Sequence, residues 1–380
     1  MGAPEQHALL SASGAEKWLH CTPSARLEEK LPENISQYAE EGRLAHAIAE
    51  LKLRKQFIEP MGTRAFNNQL KKLQANPLYK EEMLGYTDAY LDYISGIVHS
   101  FSSPPYIAVE KRLNYSAFAP EGFGTGDCII IGGSTLYIND LKYGQGVPVS
   151  AHQNPQMMLY ALGAYVESSF LFPITTVKMA IVQPRRGDPS EYEMSISDLL
   201  AWGESIKPIA QKAFAGEGEF VPGDHCRFCR AKALCRARAE FNTSLEEYHN
   251  LKPPLISNEE VGAILIKAQN LVTWANELKE YALAECLKGN EIPGWKAVEG
   301  RGSREYVNLD EAFKALMAAG IQEVMLYERR PLTVPAVEKI LGKKQYKELL
   351  VDAGHVKVEP GKPTLAPNSD KREAIKLQPD

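Results

Sequence analysis

The stretch GTGDCIIIGGSTLYINDLKYGQG at residues 124–146 decides the fold, because two apolar runs meet there across a pair of glycines. A Gly-Gly pair between apolar runs is a hairpin signal. If Gly132 and Gly133 form a two-residue turn, Asp127 and Asp140 become diagonal neighbours on one face of the hairpin, about 7 to 8 Å apart. The hairpin is therefore expected to bring two carboxylates together.

Lys142 adds a cation to this pair, because it lies two residues beyond Asp140 and shares its face. Like charges raise each other's pKa and resist burial, so the arrangement is costly without a bound metal ion. Asp and Lys at this spacing are often only a solvated strand edge, but the apolar Leu136 and Ile138 on the same face indicate a buried strand. We therefore expect a Mg²⁺ or Mn²⁺ site that polarises a phosphate and acidifies a bound water. Lys142 would position or deprotonate the attacking water, or neutralise charge in the transition state.

Helices and strands alternate on both sides of this hairpin. The patterns predict a mixed α/β core in which helices pack on a central sheet. The chain has 380 residues, which is enough for such a core. Its hydrophobic content of 44% is unlike that of collagen, mucin or wholly disordered chains. Strands are expected at 107–113, 127–131, 135–142 and 177–184, and helices at 36–55, 71–99, 153–166 and 195–214.

Three regions are expected along the chain. Residues 1–240 form the core, residues 241–355 an accessory region, and residues 356–380 a polar tail. The accessory region is expected to be a smaller α/β or mainly helical appendage. Its predicted elements are a helix at 258–287, a strand WKAV at 295–298, and helices at 309–319 and 333–342.

Net charge and hydropathy limit the partners. The formal charge of −5 means that nucleic acid would be bound through a local basic patch rather than a global field. One such patch is expected at 226–238, which holds five cations and no acid. No run of about 18 apolar residues occurs, and the N-terminus has no signal-peptide pattern, so we expect a cytoplasmic protein without membrane contact.

Four of the six cysteines suggest a metal cluster. Cys226, Cys229 and Cys235 have the spacing C-x2-C-x5-C, and Cys21, at the end of the predicted N-terminal helix, can supply a fourth thiolate. Cys128 and Cys286 occur singly, as packed free thiols do. Four thiolates suit a [4Fe-4S] cluster or structural zinc, and spacing alone does not choose between them.

The hairpin and the helix after it resemble the PD-(D/E)XK nuclease superfamily in its RecB-like branch. Asp127 matches the first acidic residue, Asp140-Leu141-Lys142 matches the D-x-K triplet, and Gln156 with Tyr160 matches the Q-x-x-x-Y helix. This resemblance implies a restriction-endonuclease-like core and a Mg²⁺- or Mn²⁺-dependent DNA exonuclease of recombination, repair or replication. Gln156 and Tyr160 would then orient substrate or water.

The upstream segment AEEGRLAHAIAE at 39–50 resembles the helix whose histidine joins the metal site in this branch. The resemblance implies that His46 is a ligand beside Asp127 and Asp140. Glu110, in the strand IAVEKRL, is either a supporting carboxylate or a solvated strand residue. The chain departs from the family where Tyr143, rather than a small or hydroxyl residue, follows the triplet.

The cysteine pattern resembles that of AddAB-type nucleases and CRISPR-associated exonucleases, which implies a structural [4Fe-4S] cluster rather than zinc. The region from Asn258 onward, including the tail GKPTLAPNSDKR, is more weakly similar to phage-encoded members of this class, so the host cytoplasm is the alternative location. DNA with free ends or single strands is the implied partner, with a helicase or single-strand-annealing protein as a further one. Two alternatives are an inactive DNA-binding protein on a nuclease-like fold, which the intact D-x-K argues against, and a zinc-stabilised partner-binding protein.

Overall fold

A five-stranded mixed sheet forms the centre of the computed structural model, which describes residues 8–32, 37–244, 257–299, 306–327 and 331–356. The strands lie in chain order; β3 and β4 run parallel, and the other neighbours are antiparallel. This confirms the predicted mixed α/β core with a central sheet. The strands are β1 Tyr106–Asn114, β2 Phe123–Gly132, β3 Thr135–Leu141, β4 Thr176–Val182 and β5 Ser190–Ser195.

Helices flank this sheet and continue beyond it. The helix between β3 and β4 provides the crossover that two parallel strands require. The helices are α1 Ala15–His20, α2 Ser24–Glu29, α3 Gln37–Leu53, α4 Thr63–Gln74, α5 Glu82–His99, α6 Pro155–Ser168, α7 Ile196–Ala215, α8 Arg236–Thr243, α9 Asn258–Leu287, α10 Leu309–Ala318 and α11 Val334–Tyr346. None of the described helices combines the length and apolar character that a membrane span requires.

The sheet is covered on both faces, which explains the unbroken apolar run in β2. Ile129 and Ile131 belong to the larger core cluster, with residues of α6 and α7. Cys128 and Ile130 alternate with them and pack on the opposite side, in a cluster that contains residues of α3 and α5. The central hairpin is therefore held between two layers of helices.

The turn of this hairpin lies one residue later than predicted. Gly132 pairs with Thr135, so the two turn residues are Gly133 and Ser134 rather than Gly132 and Gly133. Gly133 has a φ of 58°, as the turn requires, and Gly-Ser is itself a hairpin signature. Gly132 is needed for another reason, because a Cβ there would overlap the ring of Phe101.

The regular alternation of side chains between the two faces of the sheet is interrupted in both β1 and β2 at the same level. Ile129 lies in the larger core cluster, and so does Leu113. A Cβ at Gly126 would contact Leu113 at 3.0 Å, so Gly126 faces the same side of the sheet as Ile129. Residues three apart in a regular strand face opposite sides, so the alternation of β2 is interrupted between them, at the level of Asp127. The corresponding change in β1 falls at Glu110, whose φ is 49°.

Contacts divide the chain into two units, residues 1–297 and residues 298–380. The division lies further along the chain than the boundary predicted after residue 240, because α8 and α9 belong to the first unit. The domain limits remain a prediction. The tail predicted at 356–380 lies outside the described residues except for its first one.

The described part of the second unit contains helices only, α10 and α11, with short helical turns at Glu323–Leu326 and Lys347–Val351. The predicted WKAV strand is not formed. Trp295 makes one isolated bridge with Ile292 across a turn at Gly294, and both Trp295 and Val298 are exposed. Without a neighbouring strand among the described residues, this short apolar run has nothing to pair with.

Candidate active site

Three carboxylates lie side by side across β1, β2 and β3. The strand pairs on either side of Glu110 place it opposite Asp127. The pairing of Cys128 with Asn139, continued by one residue, places Asp127 opposite Asp140. The two aspartates are therefore direct neighbours, whereas the turn at Gly132 and Gly133 predicted diagonal ones. Residues directly opposite each other lie about 4.5 to 5.5 Å apart at Cβ, closer than a diagonal pair.

His46 completes a group on the α3 side of this row. Its Nδ1 atom lies 3.4 Å from Asp127 Oδ1. Ligand atoms of His46, Glu110 and Asp127 all lie within 4.8 Å of one another. Helix α3 fixes the histidine, because Ala45, Ile48 and other residues of the helix are buried against the rest of the fold. An imidazole and two carboxylates so placed form a candidate metal centre.

Asp140 is surrounded by the other predicted residues. It is 3% exposed, and its Oδ2 atom lies 2.8 Å from Lys142 Nζ. Gln156 Nε2 donates to Asp140 Oδ1 at 3.2 Å and to Tyr160 Oη at 3.3 Å. The structure therefore links Asp140, Lys142, Gln156 and Tyr160 in one chain of contacts.

The start of α6 aims Gln156 at the site. Helix α6 begins at Pro155 rather than near the predicted residue 153, and Gln153 has a φ of 49° outside the helix. The Asn154 side chain caps the helix by accepting from the backbone N–H groups of Gln156 and Met157. An Asn-Pro pair is thus the local signal that fixes where the glutamine stands.

The three carboxylates of the site outnumber its positively charged groups, and the pKa values reflect this. Burial, with the neighbouring charge of Asp127, raises the pKa of Glu110 to about 7. Burial also raises the pKa of Asp140, against the lowering effect of Lys142. Burial alone would lower the pKa of His46, but the charge and hydrogen bond of Asp127 raise it to about 9. Asp127 is the exception, since His46 and Lys142 hold its pKa below the ordinary value despite burial.

These residues fit a divalent cation. Asp140 Oδ2 is buried and receives no hydrogen bond of good geometry, although it contacts the Lys142 ammonium. Carboxylate oxygens with an imidazole are ligands that Mn²⁺ accepts, and carboxylates alone suffice for Mg²⁺. Glu110 belongs to this group of candidate ligands, although the sequence indicated it only as a supporting carboxylate or a solvated strand residue. Its only signal was an acidic residue interrupting an apolar strand, IAVEKRL.

The four predicted cluster cysteines line a second, separate cavity, which is open to solvent. Cys21 immediately follows α1, as predicted, and Cys226 lies in a short helical turn at Asp224–Phe228. Cationic side chains share the lining. The other two cysteines lie elsewhere, Cys128 in the sheet and Cys286 on α9. The lining cations are Lys17, Lys232 and Arg238, and His225 stands beside them.

The described cysteines of this cavity are not gathered as the ligands of a single zinc ion would be. Thiolates bound to one Zn²⁺ at about 2.3 Å lie about 3.8 Å apart in a tetrahedron. Among the described residues, no three cysteines have Sγ atoms within 4.8 Å of one another. A cluster of several irons, each held by a different thiolate, requires a wider spacing. The spacing of the described cysteines is therefore not that of an assembled single-zinc site.

A buried carboxylate fastens this cavity to the N-terminal helices. Glu28 of α2 accepts two contacts from Lys17 Nζ, at 2.8 and 2.7 Å, and one from the Arg230 backbone N–H at 2.7 Å. Lys17 Nζ also donates to the Phe228 carbonyl at 3.2 Å. We call this set of four residues the Glu28 clasp. It joins α1 and α2 to the segment that carries three of the cysteines.

Comparison with known proteins gives a family match and distant matches among solved structures. The family described as "Protein of unknown function (DUF2800)" matches residues 7–373. A solved structure titled "Crystal structure of SSO0001" is 15% identical, and the match covers 59% of this chain and 96% of that one with a TM-score of 0.24. A likeness of that extent carries no argument about fold or activity.

Proposed function

The chain belongs to the DUF2800 family, whose description assigns no activity, and we propose from its own site that it is a metal-dependent deoxyribonuclease of the RecB-like PD-(D/E)XK class. The observation that carries this proposal is the convergence of Glu110, Asp127 and Asp140 on one level of the sheet, with His46 on one side and Lys142 on the other. A phosphodiesterase that uses a metal needs such a ligand set beside a cation.

His46, Glu110 and Asp127 would hold Mg²⁺ or Mn²⁺, with Asp140 as the adjacent carboxylate. When bound, the ion supplies Lewis acidity toward a phosphate oxygen and lowers the pKa of a bound water. This ligand set differs from the predicted one, His46, Asp127 and Asp140, in that Glu110 takes the place of Asp140.

The chain's own residues would then bind and orient the phosphate. Lys142 keeps its ammonium within 2.8 Å of Asp140 while its side chain is 31% exposed, so it can also face the solvent side of the site. There it would stabilise negative charge on the phosphoryl oxygens. Gln156 holds Asp140 Oδ1 and the Tyr160 hydroxyl in fixed positions and would orient substrate or water.

Cutting of end-labelled DNA tests this proposal. Wild-type protein, Asp140→Asn and Lys142→Ala are incubated with single- and double-stranded DNA in Mg²⁺, Mn²⁺ or chelator. We expect metal-dependent cutting by the wild type and a loss of roughly 10²- to 10³-fold in both variants, since each removes a group that acts on the transition state. Asp92→Asn, at an exposed position of α5, is the matched control and should cut normally. Equal cutting by all four proteins would refute the site.

We further propose exonuclease action at DNA ends, in the cytoplasm, with a helicase or single-strand-annealing protein as partner. Support comes only from the resemblance of the motifs to RecB-like exonucleases. Linear and covalently closed circular DNA of one sequence distinguish the modes of cutting. An exonuclease degrades the linear form and leaves the closed circle intact, whereas loss of the circle would show endonuclease cutting.

We also propose a structural [4Fe-4S] cluster held by Cys21, Cys226, Cys229 and Cys235. The shared cavity and its cationic lining support a site formed by these four thiolates, and the resemblance of the cysteine pattern to AddAB-type nucleases favours iron over zinc. Such a cluster would make folding of the core depend on the metal. Anaerobic purification with iron and sulfide assays and visible absorption tests it. A colourless protein with stoichiometric zinc would defeat the assignment.

A further inference from the structure

An arginine stacked on an aromatic ring stands beyond the carboxylate row on the β1–β2 hairpin. The Arg112 guanidinium carbon lies 3.9 Å from the centroid of the Phe123 ring. Arg112 is exposed, and Phe123 is partly so. In the described part of the chain this stacking is the one contact found for the Arg112 side chain, which has no ion pair with a carboxylate there.

The pair lies on the same side of the sheet as the candidate metal centre. A Cβ at Gly124 would meet the Tyr160 ring at 2.7 Å, so that position of β2 faces α6. Side chains alternate along a strand, and therefore Phe123 faces away from α6. Arg112 stacks on Phe123 and lies on that outer side, where Glu110 faces His46.

The spacing along the strands suits a phosphate backbone. Arg112 is two residues beyond Glu110 and pairs with Thr125, two residues before Asp127. Two residues of a strand span about 6.6 Å, which is comparable with the separation in space of two successive phosphates of one DNA strand. A phosphate held by Arg112 would therefore be the neighbour of the phosphate at the metal centre.

The side-chain chemistry favours a phosphate over other ligands. A guanidinium that stacks with its face on a ring keeps the N–H groups of its edge free, and these match two oxygens of one phosphate. The ring holds the side chain in place and so reduces the entropy lost on binding. Exposed aromatic and Arg surfaces are also what unpaired bases stack on.

The predicted basic patch at 226–238 is less available for this task. Arg238 is buried and paired with Glu277, and Lys232 lies 3.5 Å from the same carboxylate. Arg230 donates to the backbone carbonyls of residues 28 and 31. Three of its five cations thus have internal partners.

We propose that Arg112, braced by Phe123, binds a backbone phosphate of the DNA strand next to the one that is cut. This inference rests on the proposed nuclease function for its substrate. It assigns the exposed part of the β1–β2 hairpin around Arg112 as the path of that strand, and Arg112 as a substrate-binding residue.

Binding of a fluorescent single-stranded oligonucleotide in chelator, measured by anisotropy at several salt concentrations, tests the proposal without cutting. Arg112→Ala should weaken binding roughly five- to tenfold at low salt and make the slope of log Kobs against log salt shallower by about 0.7, the value for one phosphate contact on a single strand. Arg112→Lys should restore the slope, because it keeps the charge. Arg64→Ala, an exposed arginine of α4, removes the same charge elsewhere and should leave the slope unchanged.

A cutting assay gives the second measurement. Arg112→Ala should raise KM several-fold while kcat stays within about twofold, since uniform binding is lost. An unchanged salt slope in Arg112→Ala, an equal change in Arg64→Ala, or a wild type that binds no oligonucleotide would each overturn the inference. A wild type that binds DNA with the expected Arg112 dependence but cuts none would refute the nuclease proposal alone.

Discussion

Glu110 holds a backbone conformation that most residues avoid. A non-glycine residue with a φ of 49° costs about 1 to 3 kcal/mol, and it persists only where its surroundings enforce it. Here the strand pairs on both sides keep β1 in register with β2, so the strain is confined to one residue. The result is a carboxylate turned toward His46 and Asp127.

Substitution of this residue tests whether it is a metal ligand. Glu110→Gln should weaken Mn²⁺ binding about tenfold or more, because the amide keeps the shape but loses the anionic oxygen. Glu50→Gln is the matched control, since Glu50 lines the same cavity but pairs with Arg54 at 2.7 Å. Isothermal titration calorimetry measures both. Equal Mn²⁺ affinity of Glu110→Gln and the wild type would show that Glu110 is a supporting carboxylate rather than a metal ligand.

The sequence contained the chemistry of this site but not all of its geometry. Asp127, Asp140 and Lys142 were placed together by counting along a hairpin, which depends only on local pairing. The position of the Glu110 carboxylate depends on the positive φ of Glu110 itself, in a separate strand. No pattern of residue types indicates a positive φ at a glutamate.

At the scale of elements, two glycines within helices show that packing can outweigh the low helix propensity of glycine. Gly203 of α7 is buried, and a Cβ there would lie 2.7 Å from the Phe118 ring and 3.0 Å from Leu162. Gly96 of α5 is exposed, and a Cβ there would meet nothing within 4 Å.

Alanine substitutions should therefore have opposite effects at these two positions. Gly203→Ala should lower the free energy of unfolding by about 1 to 3 kcal/mol, because the buried ring must shift. Gly96→Ala should raise it by about 0.5 to 1 kcal/mol, because alanine favours the helix. Urea denaturation followed by circular dichroism measures both. A Gly203→Ala protein as stable as Gly96→Ala would show that α7 does not pack on Phe118 this closely.

The hairpin shows where prediction of elements stops. Both strands and their pairing were predicted, but the turn was assigned to the wrong pair of residues. Gly132 looked like a turn glycine, yet it is required by the Phe101 ring, which is distant in sequence. β5 was missed because SEYEMS has little apolar character, and it pairs only at the sheet edge.

At the scale of the whole molecule, the Glu28 clasp links the two ends of the core. Glu28→Gln should lower the free energy of unfolding by about 1 to 3 kcal/mol, because it leaves the half-buried Lys17 ammonium and a backbone N–H with a weaker acceptor. Glu29→Gln is the adjacent control; its ion pair with Arg26 is at the surface and contributes less than about 1 kcal/mol. Chemical denaturation compares the two. A larger loss in Glu29→Gln would contradict the importance of the clasp.

The overall architecture was predictable because it follows from alternation of patterns along the chain. Apolar runs bounded by glycine and proline gave the strands, and the long helix at 258–287 was predicted with its bounds as found. The division of units was less predictable, because it depends on contacts such as that of Trp274 Nε1 with the Ala233 carbonyl at 3.2 Å. Such contacts between distant segments leave no periodic signal.

The Glu28 clasp also sets an order of events during synthesis. Arg230 reaches Glu28 across 202 positions of the chain, so α1 and α2 cannot be fastened until most of the core has been translated. At about 5 to 20 residues per second, this delay is about 10 to 40 s. Closing so long a loop also carries an entropic cost that local hairpins avoid. During that interval the Cys21 thiol is present without the other three thiols of its cavity. The nascent chain then depends most on reducing conditions to keep this thiol reduced.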